Sequence, residues 1–302
     1  MKCIICKLEK PESEEHILPE SIGNKSLITR RVCKTCNDRL GSNVDKSLTD
    51  HAIVKMYRKK KGLLGKKDVP IKILDGKESD VKTGREFLIR NNIPLLMPRI
   101  IEQDKDHYVV EASSFEEGVN YFTKILQRKN YSETEISSLL KRAYCVEGKS
   151  LKPTFQVLVE HNYKALAMEA IKIAYEYTFV FLGEKYLKDQ IGNLYCEELL
   201  RAINAQKRVE ISDELSEYVI YPLEGSGLQI LLTEHRKQLV SMSFEIAHSI
   251  FCVKEGSSLY CVINLFNSNR FSCAVKVTDN EQLYNYKLPV TLLLDDGSTV
   301  SL

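Results

Sequence analysis

Apolar residues recur at helical spacing most clearly over Tyr163–Leu182, where Leu166, Ala170, Ile173, Ala174 and Tyr177 share one face and Gly183 follows as a stop. Residues 114–129 repeat the pattern with Val119, Phe122, Ile125 and Leu126. Ser132-x-x-Glu135 has the form of a capping box, opening a helix with Ile136, Leu139 and Leu140 inward. Another amphipathic helix is predicted around 196–206. Alternating or short apolar runs at 71–74, 87–90, 107–112 and 154–160 predict strands. From about Ser216 the pattern turns β-like. Strands are predicted at 216–222, 228–234, 239–247, 249–254, 259–266, 271–277 and 290–294, divided by Gly225, Gly227, Gly256, Asn267 and Asp296-Gly297. They imply an antiparallel sheet joined partly by hairpins. Near the start, Gly23-Asn24 signals a turn and 27–32 a short strand. A helix is predicted from Asn37, a good N-cap with Asp38 in the first turn. The fold class is α+β: a small N-terminal module, a mixed helical region and a C-terminal antiparallel sheet.

Composition leaves this picture in place. The 302 residues are 43% hydrophobic and 28% charged, with a mean hydropathy of -0.24, as in soluble globular proteins. The longest apolar helix is interrupted by Lys164, Glu169, Lys172 and Glu176, too many charges for a bilayer span. No basic segment followed by an apolar one opens the chain, so a cytoplasmic setting with reduced thiols is expected for its nine cysteines. Charge is uneven: +7 over the first 69 residues and -5 over the rest. Much of the excess lies in Lys55, Arg58, Lys59, Lys60, Lys61, Lys66 and Lys67, in a segment over 51–69 read as a basic linker, or a helix that frays into one, that meets a polyanion.

The candidate chemistry is confined to the first 45 residues. Cys3-x-x-Cys6 and Cys33-x-x-Cys36 each offer one edge of a tetrahedral thiolate site, which suits a closed, structural Zn²⁺. Such a site would stabilise a segment too small to fold on apolar burial alone. Glu15, His16 and Asn37 are then free for other work. Cys145, Cys196, Cys252, Cys261 and Cys273, and His51, His107, His161, His235 and His248, show no ligand spacing and are read as structural.

CIIC, EEHILPESIG, CKTCN and LGSNVD together resemble the zinc-containing branch of the HNH (ββα-metal) endonucleases over residues 3–45. The resemblance implies that His16 is the general base on water. It also implies that Glu15 and Asn37 hold one catalytic divalent cation, Mg²⁺ or Mn²⁺, and that the substrate is nucleic acid, DNA first and RNA as the alternative. Glu15 stands where many relatives carry Asp, and Asn37 where many carry His. The middle Asn, expected about five residues before the second cysteine pair, is replaced by Ile28 and Thr29, so another group must hold the His loop. Asp45 has no assigned role. Phosphate contacts are expected from Arg30, Arg31, Lys55, Arg58, Lys59, Lys60 and Lys61.

Three domains are expected: the nuclease module at 1–50, the linker at 51–69, and an accessory region at 70–302, helical to about 210 and β-rich after. The accessory region carries no phosphate loop, nucleophile elbow or second metal motif, and could hold a protein partner or a second copy. Two other readings compete: a non-catalytic zinc ribbon that binds nucleic acid, and a C-terminal binding or sensor domain with the zinc module as an appendage.

Overall fold

A computed structural model describes the chain except residues 65–68, 70, 105–106, 147–151, 157–158, 160, 208, 224–225, 241–244, 285–287 and 302, and the side chains of 102–103 and 238–240. Near the start, β1 (Glu12–His16) pairs antiparallel with β2 (Ile28–Cys33), Glu12 opposite Cys33 and His16 opposite Ile28. The chain passes directly into α1 (Lys34–Asn43), then α2 (Asp45–Thr49) and α3 (Ala52–Lys60). Helix α1 therefore begins with Cys33 at its cap, and Asn37 lies inside it rather than at the N-cap. Of the two forms expected for the basic segment, residues 52–60 take the helical one. The His51 side chain caps the first turn of this helix, and its Val54 and Arg58 are buried.

Residues 70–158 make one compact unit. It contains β3 (Gly76–Ser79), β4 (Glu86–Arg90) and β5 (Ile93–Leu96) in one sheet, and β6 (Arg99–Asp104) paired with β7 (His107–Glu111). Helices α4 (Phe115–Arg128) and α5 (Glu133–Leu140) follow, the second opened by the Ser132/Glu135 capping box. The strand expected at 71–74 is displaced to β3. That expected at 154–160 lies partly outside the described residues, and 152–156 are not strand.

The other unit joins residues 1–69 to 159–302, so a break falls after Val69, none falls at 50, and residues 159–302 belong with the N-terminal segment. Its axis is α6 (Tyr163–Leu182), buried on all sides along most of its length. Helix α7 (Gln190–Asn204) packs beside it, followed by the short α8 (Asp213–Ser216) and β8 (Val219–Ile220). Residues 228–234, expected as a strand, begin α9 (Leu228–Val240), which buries Leu228 and Leu232 one turn apart. Strands β9 (Ile246–Glu255), β10 (Ser258–Leu265), β11 (Ser272–Thr278), β12 (Val290–Leu294) and β13 (Thr299–Ser301) complete an antiparallel sheet in the order β13-β12-β9-β10-β11-β8.

One main hydrophobic core serves this unit, beside a smaller cluster that includes Leu228, Leu232 and Val262. Ile4, Ile5, Val32 and Leu40 share the main core with Leu166, Ile171 and Tyr175 of α6, Leu199 of α7 and Ile263 of β10. Polar clasps fix the join. Asn43 donates to the carbonyls of Ala202 (2.9 Å) and Ala205 (3.0 Å), satisfying acceptors that the end of α7 leaves open. The turn before β13 docks on the loop between β1 and β2, the Lys25 amide donating to Gly297 O at 3.2 Å. At Gly297 a Cβ would lie 2.6 Å from Gly23 O, so glycine is needed for this approach.

Candidate functional site

The Cys3–Lys7 turn is closed by Lys7, whose φ of 59° returns the chain so that its amide donates to Cys3 O at 3.0 Å. Ile4 and Ile5, the residues between the two thiols, are fully buried. Tyr175 Oη of α6 donates to Ile4 O at 2.8 Å, and Cys196 Sγ of α7 lies 3.3 Å from both Ile4 O and Ile5 O. The second pair straddles the junction of β2 and α1, where the Cys33 amide points at Cys3 Sγ (3.4 Å). All four sulfurs lie within 4.8 Å of one another, with Cys6 and Cys33 at 3.9 Å. A Zn–S bond of about 2.3 Å gives a tetrahedral edge of about 3.8 Å, so the donor set fits zinc with little movement. The hydrogen bond between Cys3 and Cys36 draws the Cys3 thiol down to about 4 and pushes the Cys36 thiol up, so ionising all four sulfurs needs a cation to share.

The expected chemical residues separate onto different environments. Along β1, Glu12 and Glu14 are exposed, Glu15 is turned inward, and His16 is half-buried at the strand end. Asn37 reaches across from α1 and donates to Glu14 O at 2.7 Å, tying the helix to the strand just before His16. Glu15, only 2% exposed, binds Lys172 Nζ of α6 at 2.7 Å. That ammonium is itself fully buried. It donates to His16 O at 2.9 Å and lies 3.3 Å from Asp45 and 3.7 Å from Glu176. Glu169, one turn before Lys172, is buried beside Asp45. Burial pushes the carboxyls of Glu15, Glu169 and Glu176 up, with Lys172 opposing the rise in each. Burial pulls Lys172 down, but the surrounding carboxylates, Asp45 and Glu15 foremost, outweigh it and hold the ammonium well above its usual value.

The cation implied for Glu15 and Asn37 does not fit this arrangement. The Glu15 carboxylate is enclosed and already paired with an ammonium, and no hydrogen bond joins it to Asn37 among the described residues. Among the described residues, the four cysteines are the one group of three or more His, Cys, Asp or Glu placed to share an ion.

A brace that sequence reading took only as a turn residue is Asn24, with no exposed surface. Its Nδ2 donates to Leu18 O (2.7 Å) and Leu27 O (2.9 Å), and its Oδ1 accepts from the amides of Ser26 (3.2 Å) and Leu27 (2.8 Å). It closes the loop between β1 and β2 and so does what the middle Asn of the motif was expected to do. The readable signal was its place before Ser26 and Leu27, an Asx-turn spacing. Its bond to Leu18 O had none.

Most of the residues expected to contact phosphate form ion pairs within the molecule. Arg30 pairs with Glu14 (2.6 Å), and Arg31 pairs with Glu184 while lying over Phe179. Lys55 faces Asp50 at 3.7 Å and Lys61 pairs with Asp295. Arg58 is 7% exposed and donates to Thr49 O and Leu64 O, so it is a structural cation and not a phosphate contact. Lys59 and Lys60 are exposed and form no ion pair among the described residues; Lys66 and Lys67 lie outside those residues.

Two histidines set a pH limit on this unit. His51 Nδ1 accepts from the Ile53 amide, leaving Nε2–H for His161 Nδ1 at 3.2 Å. His248 Nδ1 accepts from the Phe266 amide and its Nε2 meets Ile22 O at 3.1 Å. Burial, joined by His161 at the first of them, draws both down to about 4. Between the ordinary value and about 4 the unfolded chain takes a proton that the folded chain refuses. Stability is therefore full above about pH 6.5 and falls as pH drops through that window, by roughly 2–3 kcal/mol from each group. Urea melts from pH 7 to 4 should lose this acid sensitivity in part when His51 is replaced by Gln.

Residues 3–53 match the family model described as HNH endonuclease, and the cysteine cluster is the zinc-type feature of that segment. The match marks the N-terminal segment as nuclease-type, which implies a nucleic-acid substrate. Searches of curated proteins and of solved structures give no match. No helix among the described residues is long and apolar enough to cross a membrane.

Proposed function

We propose that residues 3–53 work as a zinc-stabilised nuclease centre that hydrolyses phosphodiester bonds of nucleic acid, DNA first, with His16 as the general base. The observation that carries this reading is the HNH endonuclease match over residues 3–53, within which the structure holds His16 at the end of β1 beside α1. Attack on a phosphodiester needs water deprotonated near neutral pH, and imidazole has the nearest ordinary pKa among side chains. Lys172 anchors the His16 carbonyl and Asn37 anchors that of Glu14, so the backbone bearing the base is fixed from two directions. Exposed Lys59 and Lys60 are the cations of α3 available to a phosphate backbone. The Glu15 carboxylate is already paired with Lys172 and is not free to hold a cation.

That same enclosure of Glu15 favours a second reading, a zinc-stabilised nucleic-acid-binding module without catalysis. Plasmid relaxation and gel shift on the same preparations separate the two. In Mg²⁺ or Mn²⁺ buffer the wild type should relax supercoiled plasmid, and His16→Ala should do so about 100-fold or more slowly while shifting DNA equally well. A wild type that shifts DNA and leaves plasmid intact in both metals establishes the binding module instead.

A further inference from the structure

We propose that Lys172 is the resident cation of Glu15, a built-in ammonium, remote in sequence, that excludes a divalent ion from this carboxylate and positions His16. Three observations converge. Lys172 Nζ lies 2.7 Å from Glu15, a charge-assisted contact with neither side chain open to water. The same nitrogen donates to His16 O at 2.9 Å, so one ammonium fixes both residues of the acid-His pair. It is also enclosed by carboxylates from three elements, Glu15 of β1, Asp45 of α2 and Glu176 of α6.

The electrostatics favour one occupant. Acids that crowd a buried site need a cation, and an ammonium with no exposed surface cannot swing out to water to make room for a second one. Opposite charges at this spacing interact far more strongly in the interior than in solvent, and a divalent ion beside Lys172 would meet repulsion about twice as strong at the same spacing. A metal that accompanies a phosphate substrate must therefore be held elsewhere than on Glu15. Lys172 lies 156 residues beyond His16 in sequence, so α6 is part of the proposed centre rather than an accessory. Lys172 is a positioning residue: it reaches His16 through the backbone carbonyl, not the reacting atoms.

The inference rests on the nuclease reading only in treating Glu15 as the place where a cation is expected. Its test uses no nucleic acid, so its failure is distinct from a failure of cleavage. Full-length, zinc-loaded wild type, Glu15→Gln, Lys172→Met and the double variant are titrated with Mn²⁺, with free Mn²⁺ read by electron paramagnetic resonance and melting followed in parallel. Wild type and Glu15→Gln should take up Mn²⁺ identically. Lys172→Met should gain about one Mn²⁺ per chain and melt higher as Mn²⁺ is added, and the double variant should lose that gain. Mn²⁺ uptake by the wild type that disappears in Glu15→Gln overturns the proposal. So does a folded Lys172→Met that gains no Mn²⁺. Should Lys172→Met fail to fold, the comparison of wild type with Glu15→Gln decides alone.

Discussion

Replacement of Cys33 by Ser, or removal of zinc by a strong chelator, is expected to unfold the unit formed by residues 1–69 and 159–302, not merely its first 50 residues. Structural zinc in small Cys sites supplies on the order of 10 kcal/mol of apparent binding free energy, comparable to the whole stability of a typical domain. Without the ion, four thiols within 4.8 Å repel when ionised and lose their shared partner. Ile4 and Ile5 between Cys3 and Cys6, and Leu40 one turn beyond Cys36, stand in the same core as Tyr175, Leu199 and Ile263. Loosening the thiols thus opens apolar surface on α6, α7 and the sheet as well. Calorimetry paired with metal analysis checks this. Loss of about one zinc per chain should accompany loss of the main transition, whereas an unchanged melt in zinc-free protein would show that the thiols do not support this core.

Asn24→Ala should be strongly destabilising, at about 4 kcal/mol or more. The side chain makes four hydrogen bonds with no exposed surface, and truncation leaves two carbonyls and two amides without these partners. The bond to Leu18 O is buried, and the three made with Ser26 and Leu27 are partly so. Leu18, two residues after His16, belongs to the loop that Asn24 closes, so the effect extends to the proposed base. Urea denaturation should show the loss. Asn24→Asp should not recover it, since a buried carboxylate can accept from Ser26 and Leu27 but cannot donate to Leu18 O. Stability within about 1 kcal/mol of wild type for Asn24→Ala would remove the brace from the account.

The parts of the fold that were readable are those set by neighbours in sequence. Helix α6 runs over Tyr163–Leu182 as its periodicity required, and Ser132 and Glu135 form both halves of a capping box. The two cysteine pairs could be paired from spacing because tetrahedral coordination is a local geometric demand. At α9, Leu228, Ile230, Leu231 and Leu232 form a dense apolar run that suits either period; the structure buries Leu228 and Leu232 and leaves Ile230 and Leu231 exposed. The start of α1 was placed too late because Asn37 is a good cap in isolation, whereas Cys33 leaves β2 directly into the helix. Least readable was the environment of Glu15. Glu169, Lys172 and Glu176 stood out as charges in an apolar helix, but nothing in their spacing names Glu15 or Asp45, more than a hundred residues away, as the groups they meet.

The basic segment carries the same lesson. Its charge count suggested an open phosphate-binding stretch, yet Arg58 is buried on carbonyls and Lys61 is paired with Asp295 of the distant C-terminal turn. Charge density in sequence measures the supply of cations. It does not show how many the fold consumes.

The most direct test of the central claim is single-turnover cleavage of an end-labelled DNA duplex by zinc-loaded wild type and His16→Ala, matched for zinc content and melting temperature, in Mg²⁺ and in Mn²⁺. The account predicts cut products from the wild type and a rate lower by about 100-fold or more from His16→Ala. Equal cleavage by the two proteins, or intact duplex from a wild type that carries its zinc and binds the DNA, would contradict it.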